Sequence, residues 1–87
     1  MKTILFYWSK GADIRRKILA AIAKCEKDST PCYLNLLSEE FKLSHVAVKK
    51  HLDLLRDEGY VKILNPDGKP NYLALTKKGS DTLKEFT

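Results

Sequence analysis

Long apolar runs, glycine and cysteine are all scarce in this chain of 87 residues. The longest apolar stretches, Ile4 to Trp8 and Ile18 to Ala23, fall far short of the roughly 18 residues that a membrane helix needs, and the first is too short for a secretory signal. The chain is therefore expected in the cytoplasm, with no membrane contact. Its four glycines form no phosphate-cradling loop, and no acid and base stand paired at a catalytic motif spacing, so neither enzyme activity nor a cofactor is expected. Cys25 and Cys32 stand alone, without a second pair or a histidine spacing that would complete a tetrahedral zinc site, so no metal is expected. Free buried thiols are the first reading of that pair, and a disulfide from the end of one helix to the next segment is the alternative.

What the chain does have is positive charge. Sixteen Lys and Arg against eleven Asp and Glu give +5 and a pI of about 9.3, the range of a nucleic-acid footprint, although many small basic proteins bind none. The length fits one domain with a modest core, over residues 1–87, for which a second copy would add stability. Residues 1–10 form an apolar N-terminal extension. The five large side chains of Ile4 to Trp8 need a partner surface, either the domain's own core or the same segment of a second copy; the second is preferred, so a homodimer through this segment and the C-terminal helix is expected.

From Gly11 to Lys27, apolar residues at Ile14, Ile18, Ala21, Ile22 and Cys25 follow the spacing of a one-sided helix. Arg15, Arg16 and Lys17 read there as a solvated basic cluster. Pro31 marks a loop, Cys32 to Leu34 suits a short strand, and Asn35 can cap a second helix from Leu36 to about Lys42, with Leu37 and Phe41 inward. A cap at Thr30 with Pro31 in the first turn is the rival boundary. After a three-residue turn, Ser44 can cap a third helix whose inner stripe is Val48, Leu52 and Leu55 and which closes on Gly59. Two short helices so tightly joined suggest a helix-turn-helix.

Beyond Gly59 the period changes to two. Tyr60 to Leu64 and Asn71 to Leu75 read as strands of a hairpin, with Pro66 and Asp67 central in its turn and Gly68 at positive φ. Thr76 then caps a last helix, from Lys77 to about Phe86, whose strong inward residues are Leu83 and Phe86.

The segments D-I-R-R-K-I-L at Asp13 to Leu19, L-S-E-E-F-K-L-S at Leu37 to Ser44, V-K-K-H-L-D-L-L-R-D-E-G-Y-V at Val48 to Val61 and L-A-L-T-K-K-G at Leu73 to Gly79 resemble, in order, the local motifs of the ArsR and MarR-like transcription regulators. Together they cover most of the chain, and their order is more specific than any one of them. The resemblance implies a mainly α fold with a small β-hairpin, a winged helix-turn-helix with a three-helix core, a wing and a short C-terminal helix. Two departures stand out. Lys42 occupies the turn where the family often has Gly or Asn, and the Cys-x-Cys pair of the metal-sensing branch is missing.

The same resemblance implies double-stranded DNA as the partner, with helix 44–58 entering the major groove N-terminus first and wing 65–71 on the flanking backbone or minor groove. Ser44, His45, Val46, Ala47, Lys49 and Lys50 are then the candidate readers, with Lys62, Lys69 and Asn71 from the hairpin. Val46 lies about 160° from Val48 around the helix, odd for a purely solvated face and suited to a thymine methyl. Ser44 would both cap the helix and set its positive end near a phosphate. His45 would make affinity depend mildly on pH, whereas His51, beside the inner stripe, reads as a packed structural residue. Solvated lysines are the plain alternative at every cationic position. The rival function is a winged-helix protein-interaction module of a transcription or replication complex, which the acidic C-terminal half at Asp53, Asp57 and Glu58 keeps open.

Overall fold

A run of apolar residues every third or fourth position carries the chain into its first element. In a computed structural model describing residues 11–85, helix α1 spans Ala12–Lys27 and buries Ile18, Leu19 and Ile22 completely. Asp13 in its first turn lies 3.1 Å from Lys17, which holds the carboxyl below its ordinary pKa, and Lys24 and Lys27 occupy the last turn. Both placements suit the helix dipole. Arg15 departs from the solvated cluster expected at 15–17: it is 6% exposed, and its Nε donates to His51 Nδ1 at 3.3 Å. A partner 36 positions away in sequence draws the guanidinium inward.

Residues 32–34 do not form a strand. Cys32 contributes a single backbone bond, its carbonyl accepting from Leu73 N at 2.8 Å, and α2 begins at once, spanning Leu34–Phe41. The N-cap is Tyr33, not Asn35, and it makes no side-chain cap bond. Leu37 is fully buried, Phe41 packs against the core, and Ser38 Oγ donates to the Leu43 carbonyl across the turn. Lys42 takes the left-handed conformation at φ 54, which Gly or Asn adopt more readily, so the turn of the motif is completed at some backbone cost.

Helix α3 spans His45–Asp57, and Ser44 Oγ accepts from Ala47 N at 3.1 Å as its cap. Val48, Leu52 and Leu55 face the core. Gly59 follows at φ 84, and Tyr60 N returns to the Leu55 carbonyl at 2.8 Å, the left-handed closure expected there. Strands β1 (Val61–Ile63) and β2 (Leu73–Leu75) pair antiparallel with Val61 opposite Leu75. The outer edge of β2 is closed by the Cys32 carbonyl and by Glu26 Oε1, which accepts from Leu75 N at 3.2 Å. Thr76 caps α4, Lys77–Lys84, by accepting from Gly79 N at 3.0 Å. Leu83 packs against the core, and Gly79 and Thr82 are buried beside it.

One hydrophobic cluster joins α1, α2, α3 and the hairpin, with Tyr60 at 1% exposure its largest buried side chain. Cys25 and Cys32 are free thiols. Burial first, and then the neighbouring Cys25 thiol, push the Cys32 thiol far above its ordinary pKa. The apolar extension at residues 1–10 and Phe86, on which the expected dimer contact depends, lie outside the described residues.

Candidate nucleic-acid interface

The side of α3 turned away from the core holds the residues picked out as readers. Val46 is 68% exposed, Ser44, His45, Lys49 and Lys50 are exposed, and Ala47 is half-buried against the cap. At that exposure Val46 adds little to the core, although a single apolar side chain in water is ordinary on a protein surface. Lys49 is engaged: its Nζ lies 3.0 Å from Asp53 Oδ2, while Arg56 approaches Asp53 Oδ1 at 3.7 Å. Lys50 has no acidic partner among the described residues. Asp53 and Arg56 were not among the expected site residues, although the i, i+4 and i, i+3 spacings 49/53 and 53/56 carry that signal in the sequence.

The wing stands beside this face. Val61, Ile63, Lys69, Pro70 and Asn71 border a groove of about 320 Å³ with Lys49, Asp53 and Arg56. Thus Lys49, Lys69 and Asn71 come together on one side of the molecule. Lys62 does not join them: it alternates to the other face of the hairpin, beside Cys25, Cys32 and Leu64.

Asn71 has a different occupation from the one expected. Its Nδ2 donates to the carbonyls of Asn65, Pro66 and Gly68, at 3.0, 3.3 and 3.0 Å, and so ties the wing tip together from within. Asn65 does the same from the opposite side, donating to the Pro70 carbonyl and accepting from Tyr72 N. Pro66 and Asp67 are central in the turn, closed by Gly68 N to Asn65 O at 2.8 Å, but Gly68 does not take positive φ. The strands end earlier than their sequence pattern suggested, so residues 64–72 form a long loop closed by amides instead of a tight hairpin that would require it. Lys69 and Asp67 remain exposed at the tip.

The wing leaves the sheet through a buried joint. Thr76 N donates to the Tyr60 carbonyl at 3.1 Å, Thr76 Oγ1 donates to the Gly59 carbonyl at 2.6 Å, and Gly79 packs directly on the Tyr60 carbonyl, where a Cβ has no room. The Leu-Thr, polar step, Gly sequence at 75–79 thereby locks the end of α3 to the start of α4.

No model of a protein family matches the sequence, and no curated protein matches it. Among solved structures, the chain superposes on the transcriptional regulator BldR from Sulfolobus solfataricus with a TM-score of 0.74 at 19% identity, covering 97% of this chain and 58% of that one. FabT from Streptococcus pneumoniae, in complex with DNA, gives 0.72 at 20% identity, covering 98% of this chain and 60% of that one. A mutant MarR from E. coli complexed with operator DNA gives 0.68 at 20% identity, covering 84% and 51%. The fold is a MarR-like winged helix. This winged helix spans between about half and three-fifths of the length of those three chains. Among its described residues no helix is long and apolar enough to cross a membrane.

Proposed function

We propose that this winged helix is a sequence-specific double-stranded DNA-binding regulator, with the N-terminal half of α3 in the major groove and the tip of wing 65–71 on the flanking backbone. One observation carries the reading. The first two turns of a capped helix expose Val46 beside Lys49 and Lys50, on a chain of net charge +5, in a fold whose solved neighbours include two bound to DNA. Val46 supplies an apolar contact for a thymine methyl, Lys50 and Lys69 supply phosphate contacts, and the positive end of the helix at Ser44 favours a further phosphate. Asn71 acts through the wing it holds together. The chain works as a homodimer whose half-sites lie about one helical turn, roughly 34 Å, apart. Regulation without an enzymatic step follows from the same reading.

A second reading, a protein-interaction module, draws on Leu54 and Leu64, exposed by 41% and 61% away from the basic turns. The two separate in a titration of labelled duplexes, one random and one taken from the DNA upstream of the chain's own gene. DNA binding predicts a log affinity that falls linearly with log salt, and Lys69→Ala reduces the slope by about 0.9, the worth of one phosphate contact. Val46→Ala weakens the preferred duplex and leaves the random one unchanged. Absence of salt-sensitive binding leaves the interaction module.

A further inference from the structure

We infer that Asp53 is a positioning residue that suppresses sequence-independent DNA affinity, by holding Lys49 away from phosphate. The inference rests on the DNA-binding reading above. Residues 49, 53 and 56 fall at i, i+4 and i+7, one strip of α3 facing the groove that Lys69 borders from the wing. Asp53 gives each carboxylate oxygen its own cation, Oδ2 to Lys49 at 3.0 Å and Oδ1 to Arg56 at 3.7 Å. The side chains are well exposed, 66% for Lys49, 48% for Arg56 and 40% for Asp53, so the cluster adds little to the stability of the helix.

Its effect is on what approaches from outside. Lys49, Arg56 and Lys69 together would make a tripositive edge suited to any phosphate backbone. With Asp53 among them, a phosphate reaching for Lys49 must displace a carboxylate already bonded to it and then sit beside that like charge. Val46 and the helix cap lie two turns away, where Asp53 has no contact. The carboxylate therefore lowers the part of the affinity that is blind to sequence and spares the part that reads bases. The pairs Lys17–Asp13 and Lys77–Asp81 have the same i, i+4 form but lie on α1 and α4, away from the groove.

The test titrates a labelled random-sequence duplex with the full chain and with the variants Asp53→Asn, Asp53→Glu and Asp53→Asn combined with Lys49→Ala, over a salt series. Asp53→Asn should bind about three- to tenfold more tightly at low salt, with a log–log slope steeper by about 0.9. Asp53→Glu, which keeps the charge and, one methylene longer, can still meet Lys49 four residues away, should match the parent chain. Adding Lys49→Ala should remove the gain. If the parent chain binds in a salt-sensitive way and Asp53→Asn binds no differently, the inference fails while the DNA-binding reading stands. A gain that survives Lys49→Ala also overturns it, and a parent chain without salt-sensitive binding overturns both.

Discussion

The two ends of α3 are built on opposite principles. At the C-terminal end the backbone is tied into the fold: the Gly59 and Tyr60 carbonyls accept from Thr76, and Lys78 Nζ donates to the Glu58 carbonyl at 2.7 Å while lying 4.4 Å from the centre of the Tyr60 ring. At the N-terminal end Ser44 satisfies one amide, and beyond it Val46 and Lys50 point into water. The backbone of the first end is held by the fold. The second carries surface for which the fold has no internal use, which is what a reading edge requires. Side chains of the same helix thus divide into those that a substitution would punish through stability and those that it would punish through binding alone.

Substitutions can sharpen that division, beginning with the core. Leu55→Ala empties a fully buried site and should cost about 2–5 kcal/mol of unfolding free energy by urea titration. A loss well under 1 kcal/mol would mean that the inner stripe is misplaced. Gly79→Ala drives a methyl into the Tyr60 carbonyl, so the backbone must shift, at a cost of roughly 1–3 kcal/mol. An unchanged unfolding midpoint would break the joint between α3 and α4. Ser44→Ala removes the cap bond to Ala47 N and should cost about 1 kcal/mol.

The smallest effect is a pH dependence. Burial first, and the Arg15 charge second, hold the His51 imidazole below its ordinary pKa. The unfolded chain therefore takes up a proton near pH 6.5 that the folded chain resists, so the contribution is complete above about pH 6.5 and is lost as the pH falls through the lowered folded value. Thermal midpoints of the parent chain should decline between neutral and mildly acid pH. His51→Asn, which can still accept from Arg15, should show a flatter profile, and equal profiles would remove His51 as the source.

Much of this architecture was legible from residue spacing. The caps at Ser44 and Thr76, the closure at Gly59 and the stripe Val48, Leu52, Leu55 all rest on local rules, and all appear in the structure. The start of α2 was not legible, because Tyr33 caps it without a side-chain bond and leaves no local signature. Arg15 reads as solvated from sequence because its partner His51 is remote, and nothing local in the sequence marks the three carbonyls that converge on the Asn71 amide. On the candidate interface, exposure of Val46 and Lys50 follows from the helix period, whereas the assignment of Lys62 to the far face of the hairpin depends on which strand face meets α3.

Lys50 offers the most direct test, because it is exposed, has no acidic partner among the described residues and serves no packing role. Anisotropy titration of a labelled upstream duplex with the parent chain and with Lys50→Glu, alongside urea unfolding of both, separates binding from stability. Unfolding should be unchanged, and the affinity of Lys50→Glu at least about tenfold weaker at low salt, with a shallower salt slope. Equal affinity and slope for the two chains would contradict the DNA-binding reading.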